Sequence, residues 1–186
     1  MNNRDIRKQT HQKNNQTNIL AEHLFPDQFP KQLSVPSTIL ITAKDKQKAP
    51  AQIFLPSNYD PSKKYPAVIF LHGGSRRQML EGFNYSSYYS NAYAVSEYFA
   101  QHGYIAMQLN YRSGIGYGLN FREAPKTGMA GGAEVNDLIA AGEYLAKRKD
   151  VDAKSIAIWG GSYGGYLTAH GLSRRSDLFK VGVDIH

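Results

Sequence analysis

Short apolar runs alternate with stretches of helical periodicity along the chain from residue 37 to its end. Continuous apolar runs next to glycine or proline are typical of buried strands, whereas apolar residues spaced three and four apart indicate amphipathic helices. The expected strands are STILITA, AQIFLP, AVIFLHGG, YIAMQLN, SIAIWG and FKVGVDIH, and the expected helices are NAYAVSEYFAQHG, AEVNDLIAAGEYLAKRK and GGYLTAHGLSRRS. Strands that alternate with helices form right-handed β-α-β units. The pattern therefore predicts an α/β fold with an antiparallel first pair of strands and a mostly parallel sheet with flanking helices.

The chain divides into two regions by composition and hydrophobic periodicity. Residues 1–30 are rich in Asn, Gln, Lys and Thr and have few periodic apolar positions, which predicts a poorly ordered polar lead-in. Residues 31–186 form the expected globular domain. Within it, the stretch YRSGIGYGLNFREAPKTGMAGG is predicted to be a long glycine-rich loop.

Composition excludes several classes of partner. The 186 residues carry a net charge of +7, but Lys and Arg are scattered, so we expect a solvated basic surface and no nucleic-acid partner. The chain has no cysteine, and its six histidines show no metal-ligand spacing, so no metal site is expected. No dinucleotide fingerprint is present, and we expect no cofactor. No apolar run approaches the roughly 20 residues of a membrane span, and the N-terminus lacks the apolar core of a signal peptide, so we expect no membrane partner and a cytoplasmic location by default.

The segment SIAIWGGSYGGYLTAHG contains a candidate nucleophile. Gly160-Gly161-Ser162-Tyr163-Gly164 fits the G-x-S-x-G pattern, with an apolar strand before it and a helical pattern after it. A sharp strand-to-helix turn lifts the serine hydroxyl above the sheet, and side chains at the first and last glycine would clash with neighbouring elements. The same turn puts the amide of Tyr163 at a helix N-terminus, where it can stabilise an oxyanion. The alternative is a glycine-rich turn that binds a phosphate or only packs.

The segment HGGS at residues 72–75 follows an earlier strand and supports the catalytic interpretation. In hydrolases with this elbow, the loop after that strand supplies a second oxyanion donor, and we assign this role to the amide of Gly74. His72 precedes the serine, whereas the base of such enzymes follows it. We therefore interpret His72 as a structural residue that shapes the loop.

The motifs FLHGGS, NYRSGIGYG, WGGSYGGY and GVDIH resemble, in order and spacing, those of the prolyl oligopeptidase family of serine peptidases. The resemblance covers roughly residues 37–186 and implies the α/β-hydrolase fold. It also implies peptide substrates that are cleaved through an acyl-enzyme on Ser162, with the amides of Tyr163 and Gly74 in the oxyanion hole.

Two features that the family resemblance implies are not recognised in this sequence. Family members carry their catalytic Asp and His beyond the strand that VGVDIH matches, and usually a β-propeller before the hydrolase domain. We therefore expect a partial catalytic domain, truncated after the strand that follows the nucleophile helix and inactive or nearly so by itself. Asp184 lies where some α/β hydrolases carry their acid, but we do not expect His186 to act as the base, since a residue at a strand end has no loop to bring it onto Ser162.

Two other functions remain open at this point. A carboxylesterase uses the same elbow and HGG loop, and fold alone does not separate it from a peptidase. A non-catalytic fragment or interaction module would need neither Asp nor His. The last strand would leave an apolar sheet edge exposed, so self-association through that edge is expected.

Arg112 and a group of tyrosines are further candidates for the site. Arg112 could hold a substrate carboxylate or carbonyl, or it could form an ion pair with Glu123, Glu134 or Asp137 that fixes its loop. The tyrosines between the HGG loop and the end of the first expected helix could line a substrate pocket or only pack; they are Tyr85, Tyr88, Tyr89, Tyr93 and Tyr98.

Overall fold

The computed structural model describes residues 33–130 and 132–185, together with the backbone of two short strands, Thr10–Lys13 (β1) and Gln16–Ile19 (β2). These two strands pair antiparallel. The remainder of residues 1–30 lies outside the described residues, so the lead-in expected there stays a prediction, as does the domain boundary at residue 31.

Six strands form the main sheet, in the order β3-β4-β6-β5-β7-β8. Their bounds are Ser37–Thr42 (β3), Lys48–Phe54 (β4), Tyr65–Leu71 (β5), Ile105–Leu109 (β6), Val151–Gly161 (β7) and Val181–Ile185 (β8). β3 pairs with β4, and β4 with β6, in antiparallel register. β5 pairs in parallel with β6 and with β7, and β7 pairs in parallel with β8. The predicted antiparallel pair and the mostly parallel sheet are both confirmed.

In the part of the chain that the structure describes, four helices flank or cap this sheet: Ser87–Gln101 (α1), Leu119–Arg122 (α2), Glu134–Lys147 (α3) and Tyr163–Arg174 (α4). The three long helices lie where helices were predicted, but α1 begins at Ser87, before the predicted start at Asn91. α2 is a single turn inside the stretch that was expected to be all loop, where it buries Phe121. One turn carries too little periodicity to be recognised in sequence.

The core has two layers because alternate residues of each strand face opposite sides of the sheet. On β5, Ile69 and Leu71 belong to a large cluster that also contains Leu138 of α3 and Leu167 of α4. Val68 and Phe70 face the other side, where α1 packs. β5 is thus buried on both faces, as its uninterrupted apolar sequence indicates. Helices α3 and α4 cover one face, and α1 covers part of the other.

Candidate active site

Ser162 lies at the turn between β7 and α4 in a strained backbone conformation. Its φ is 55° and its ψ is −121°, and positive φ at a residue with a side chain costs on the order of 1–3 kcal/mol. The residue is exposed. Its amide donates to the carbonyl of Ile185 at 2.9 Å, and its own carbonyl accepts from the amide of Tyr166 at 3.0 Å. The turn is therefore held at both ends, by β8 and by the first turn of α4.

Close packing explains the glycines on either side of the serine. A Cβ at Gly160 or at Gly164 would collide with the backbone carbonyl of Leu71 at the end of β5. This clash was expected from the pattern and is confirmed. A Cβ at Gly73 would lie 3.1 Å from the carbonyl of Gly161 and 3.5 Å from Cβ of Ser162. The HGG loop therefore runs directly beside the serine.

The two oxyanion donors assigned from the sequence lie in suitable elements. Tyr163 is the first residue of α4, where backbone N–H groups have no partner within the helix. Gly74 adopts a φ of 102°, and a Cβ there would meet Cγ of Arg77 at 2.7 Å. A Cβ at Gly73 would contact Ser162, whereas the atoms nearest to a Cβ at Gly74 belong to Arg76 and Arg77. The role of the Gly74 amide therefore stays a prediction.

His72 is fully buried, and its contacts do not suit a catalytic base. Its Nδ1 donates to the carbonyl of Gly73 at 3.0 Å, and its ring stacks on Tyr111 with 4.2 Å between centroids. The hydroxyl of Tyr111 donates to the His72 carbonyl at 2.6 Å. Burial lowers the pKa of His72 to about 4, so the imidazole is neutral at pH 7. These contacts support the structural role assigned to it.

The other described histidines are also engaged elsewhere. The exposed His102 stacks on Tyr98, and His170 packs edge-on against Tyr166 on the outer side of α4. Within residues 33–130 and 132–185, no histidine is hydrogen-bonded to the Ser162 hydroxyl. His186 lies outside the described residues, so its exclusion as the base stays a prediction.

Arg112 is held by two carboxylates. Its Nε and Nη2 donate to Asp137 at 3.0 and 2.7 Å, and Nη1 and Nη2 also donate to Asp45. The arginine side chain is 3% exposed. Burial raises the pKa of Asp137, whereas the hydrogen bond from Arg112 lowers the pKa of the half-exposed Asp45 to about 2. This arrangement favours the loop-fixing alternative over substrate contact, and Asp137 was one of the partners considered.

The five candidate tyrosines lie in three different places: beside the serine turn, in the core and on the surface. A Cβ at Gly161 would collide with the hydroxyl of Tyr88, and the hydroxyl of Tyr89 lies 3.4 Å from the Cβ position of Gly73. Burial, followed by the neighbouring Tyr89, raises the pKa of Tyr88. Two tyrosine hydroxyls therefore flank the elbow, which the sequence alone did not single out. Of the others, Tyr93 is buried in the core, and Tyr85 and Tyr98 are exposed.

Glu134 is a buried carboxylate beside the elbow that sequence reasoning named only as a possible partner of Arg112. Its Oε1 instead accepts hydrogen bonds from the hydroxyls of Ser113 and Tyr163 and from the amide of Gly128. It therefore ties the residue after the nucleophile to the long glycine-rich loop. No local signal could have shown the contacts with Ser113 and Tyr163, which are 21 and 29 positions away in the chain.

Within the described residues, no group of three or more His, Asp or Glu side chains is arranged to hold a metal ion. Among the helices of the described part of the chain, none is long and apolar enough to cross a membrane.

Comparison with known proteins identifies the family. Residues 89–185 match the family model described as "Prolyl oligopeptidase family". The chain belongs to the prolyl oligopeptidase family. It is 34% identical to human dipeptidyl peptidase 8 over 137 residues, which are 70% of this chain and 14% of that protein. It is 30% identical to dipeptidyl aminopeptidase BIII of Pseudoxanthomonas mexicana over 151 residues, 78% of this chain and 20% of that protein.

Solved structures of similar proteins share the fold. Dipeptidyl peptidase 4 of Porphyromonas gingivalis superposes with a TM-score of 0.70 at 28% identity, covering 82% of this chain and 21% of that one. Acylaminoacyl peptidase of Pyrococcus horikoshii gives a TM-score of 0.65 at 26% identity, covering 83% and 23%. The sheet and its helices thus belong to the α/β-hydrolase fold. The chain spans less than a quarter of the length of each of these four relatives.

Proposed function

We propose that this chain carries the nucleophile and the oxyanion-binding loop of a serine peptidase, in which Ser162 attacks a peptide carbonyl and forms an acyl-enzyme. The observation that carries the proposal is the left-handed backbone of Ser162 at the start of α4, which leaves the residue exposed beside the first amides of the helix. Membership of a family whose relatives are named as dipeptidyl and acylaminoacyl peptidases supports a peptide substrate.

The chemistry needs stabilisation of the negative charge that develops on the carbonyl oxygen. The amide of Tyr163 points outward from the helix N-terminus, where the helix dipole also favours an anion. The amide of Gly74 is the second proposed donor. The hydroxyl of Tyr88 is a further candidate, since it lies against Gly161 immediately before the serine.

Attack also requires a base that removes the proton from the Ser162 hydroxyl. His72 is buried and neutral with its Nδ1 directed at the Gly73 carbonyl, and no other described histidine contacts the serine. We infer that the acid and base of the triad come from outside residues 33–130 and 132–185. Without that acid and base, Ser162 retains only the contribution of the oxyanion site, and its reactivity falls by about 10⁴-fold or more.

Labelling with a fluorophosphonate probe tests both parts of this proposal. We expect slow labelling that is lost in Ser162→Ala and retained in Ser173→Ala, a matched change at an exposed serine within α4. Labelling that is equal in wild type and Ser162→Ala would refute the nucleophile. Complete labelling within minutes, at the rate of an intact serine hydrolase, would instead refute the inference about the base.

Reversible inhibitors separate a peptidase from a carboxylesterase. A dipeptide boronic acid and a short alkyl boronic acid both form a reversible adduct with the serine hydroxyl. The concentration at which each compound blocks labelling of Ser162 by the probe therefore shows which acyl group the site binds more tightly. We expect protection at lower concentrations of the dipeptide compound. Stronger protection by the alkyl compound would favour the carboxylesterase.

A further inference from the structure

Glu134 lies at the point where three separate segments of the chain meet. It is the first residue of α3 and is fully buried. Its Oε1 accepts a hydrogen bond from the hydroxyl of Ser113 at 2.7 Å, from the hydroxyl of Tyr163 at 3.0 Å and from the amide of Gly128 at 3.0 Å. One carboxylate oxygen therefore joins the turn after β6, the glycine-rich loop and the residue that follows the nucleophile.

The surroundings of this carboxylate are rigid. Asp137, also in the first turn of α3 and buried, accepts hydrogen bonds from the amide of Arg112 at 2.8 Å and from its guanidinium. The two acids thus hold consecutive residues of the turn after β6, and the second of these, Ser113, has a φ of 69°. Such a left-handed conformation persists only where neighbouring contacts hold it in place. Glu134 is therefore fixed both by its helix and by the turn that it contacts.

Tyr163 is held at its ring as well as at its hydroxyl. The ring centroid lies 6.1 Å from that of Tyr111 and 5.2 Å from that of Tyr166. Burial, followed by the charge of Glu134, raises the pKa of Tyr163, so its hydroxyl keeps the proton and remains a donor. A hydrogen bond to a carboxylate is about twice as strong as one between neutral groups. The bond to Glu134 is therefore the strongest directional contact of this side chain.

The position of Tyr163 sets the direction of an amide that the chemistry uses. Its N–H group, at the first position of α4, is the proposed donor to the oxyanion. The peptide group that carries this N–H begins at Ser162, whose φ of 55° and ψ of −121° are strained. Relaxation of ψ at Ser162 would rotate this planar group and turn the N–H away. A side chain fixed at Tyr163 opposes the rotation, because it holds the Cα at one end of the peptide plane.

We propose that Glu134 is a positioning residue for the oxyanion site, which keeps the amide of Tyr163 directed at the oxyanion by accepting the hydroxyl of the same residue. The inference rests on the proposed function of Ser162 as the nucleophile. Glu134 is fully buried, so it acts through Tyr163 and not on the substrate. Complete loss of one oxyanion donor costs about 10²–10³ in rate, and a donor that is only misdirected costs less, about 10-fold.

Two hydroxyl deletions on the same helix test this role. Tyr163→Phe removes the donor to Glu134 and keeps the ring, whereas Tyr166→Phe removes a hydroxyl that donates to the carbonyl of Met129 at the surface. The rate of labelling by a fluorophosphonate probe, measured against probe concentration, gives a maximal rate constant, kinact, and a half-saturating concentration, KI. The phosphonyl oxygen of the probe occupies the oxyanion site during the reaction, so kinact reports the alignment of the donors. We expect Tyr163→Phe to lower kinact about 10-fold with KI unchanged, and Tyr166→Phe to change neither constant.

A double-mutant cycle shows whether Glu134 acts through the Tyr163 hydroxyl. We expect Glu134→Ala to lower kinact by a similar factor, and its addition to Tyr163→Phe to cause no more than about a twofold further fall. A further fall of about 10-fold in the double variant would mean that the two residues act independently, and it would overturn the proposal. Urea unfolding identifies the variants that are folded under the labelling conditions. If Glu134→Ala is not folded, Tyr163→Phe decides the question, because it removes a single oxygen atom.

The failure of this inference can be distinguished from the failure of the nucleophile proposal. Labelling that survives in Ser162→Ala refutes the nucleophile and, with it, the role of Glu134. An unchanged kinact in Tyr163→Phe, in a protein whose labelling still depends on Ser162, overturns the role of Glu134 alone. A rise in KI at constant kinact has the same meaning. An equal fall of kinact in Tyr163→Phe and Tyr166→Phe would indicate a general loosening of α4 and would also overturn the proposal.

Discussion

Protonation of His72 provides a quantitative test of the buried contacts beneath the HGG loop. Burial lowers its pKa from the ordinary value of 6.5 to about 4. A shift of one unit corresponds to about 1.36 kcal/mol, so the difference amounts to about 3 kcal/mol in the free energy of unfolding. The folded-state pKa lies below that of the unfolded chain, so the unfolded state takes up the proton first as the pH falls. The stabilisation is complete above about pH 6.5 and is lost between there and about pH 4.

Urea unfolding at several pH values, for wild type and His72→Asn, measures this effect. Asparagine can replace the Nδ1 donor towards the Gly73 carbonyl but does not titrate, and it loses the stacking on Tyr111. We therefore compare slopes against pH rather than single values. The pKa of His170 is also lowered and that of Glu97 is raised, but both groups are present in the two proteins. The difference in slope then belongs to His72.

The outcome that contradicts this reasoning is an equal dependence on pH in the two proteins between pH 6.5 and 4. It would mean that His72 is protonated as readily in the folded chain as in the unfolded one. The ring would then be accessible to water, and its orientation towards Tyr111 would not be fixed.

Two further substitutions test the packing around the site. Gly164→Ala drives a Cβ into the Leu71 carbonyl, and we expect it to lower the free energy of unfolding by about 3 kcal/mol or more in urea titrations; a loss below about 1 kcal/mol would contradict the close approach. Asp137→Asn leaves Arg112 buried with only Asp45 as a charged partner. We expect a loss of about 3–5 kcal/mol and a clearly smaller one for Asp45→Asn, whose carboxylate is partly exposed; equal losses would show that the buried pair is not the stronger contact.

Most of the secondary structure followed from the sequence because its signals are local. The apolar run of β5 and the helical spacing of α1 and α3 each lie within one window of fewer than 20 residues. The strand predicted as SIAIWG ends within one residue of the observed end of β7 at Gly161, but its predicted start is too late, since the structure extends β7 back to Val151. The residues VDAK at that start are polar on alternate positions, so a pattern based on a continuous apolar run does not include them.

Local sequence signals identified the serine turn of the site but not the contacts between residues that are distant in the chain. Gly160, Ser162 and Gly164 could be assigned together because the turn is contiguous, and the reason for the glycines was apparent from strand-helix geometry. The contact between Glu134 and Tyr163 joins two helices 29 positions apart in the chain. Arg112 was named, but Asp45, 67 positions away, was not among its expected partners.

By itself, the sequence determined the alternation of strands and helices and the position of the serine turn, because both depend on neighbouring residues. Only the tertiary structure decided the strand order, the burial of His72 and the carboxylates that hold Arg112. Each of these depends on which distant segments meet, and it is the burial of the sheet's two faces that brings them together. The physical reason is that packing in three dimensions, rather than spacing along the chain, assigns each polar group its partner.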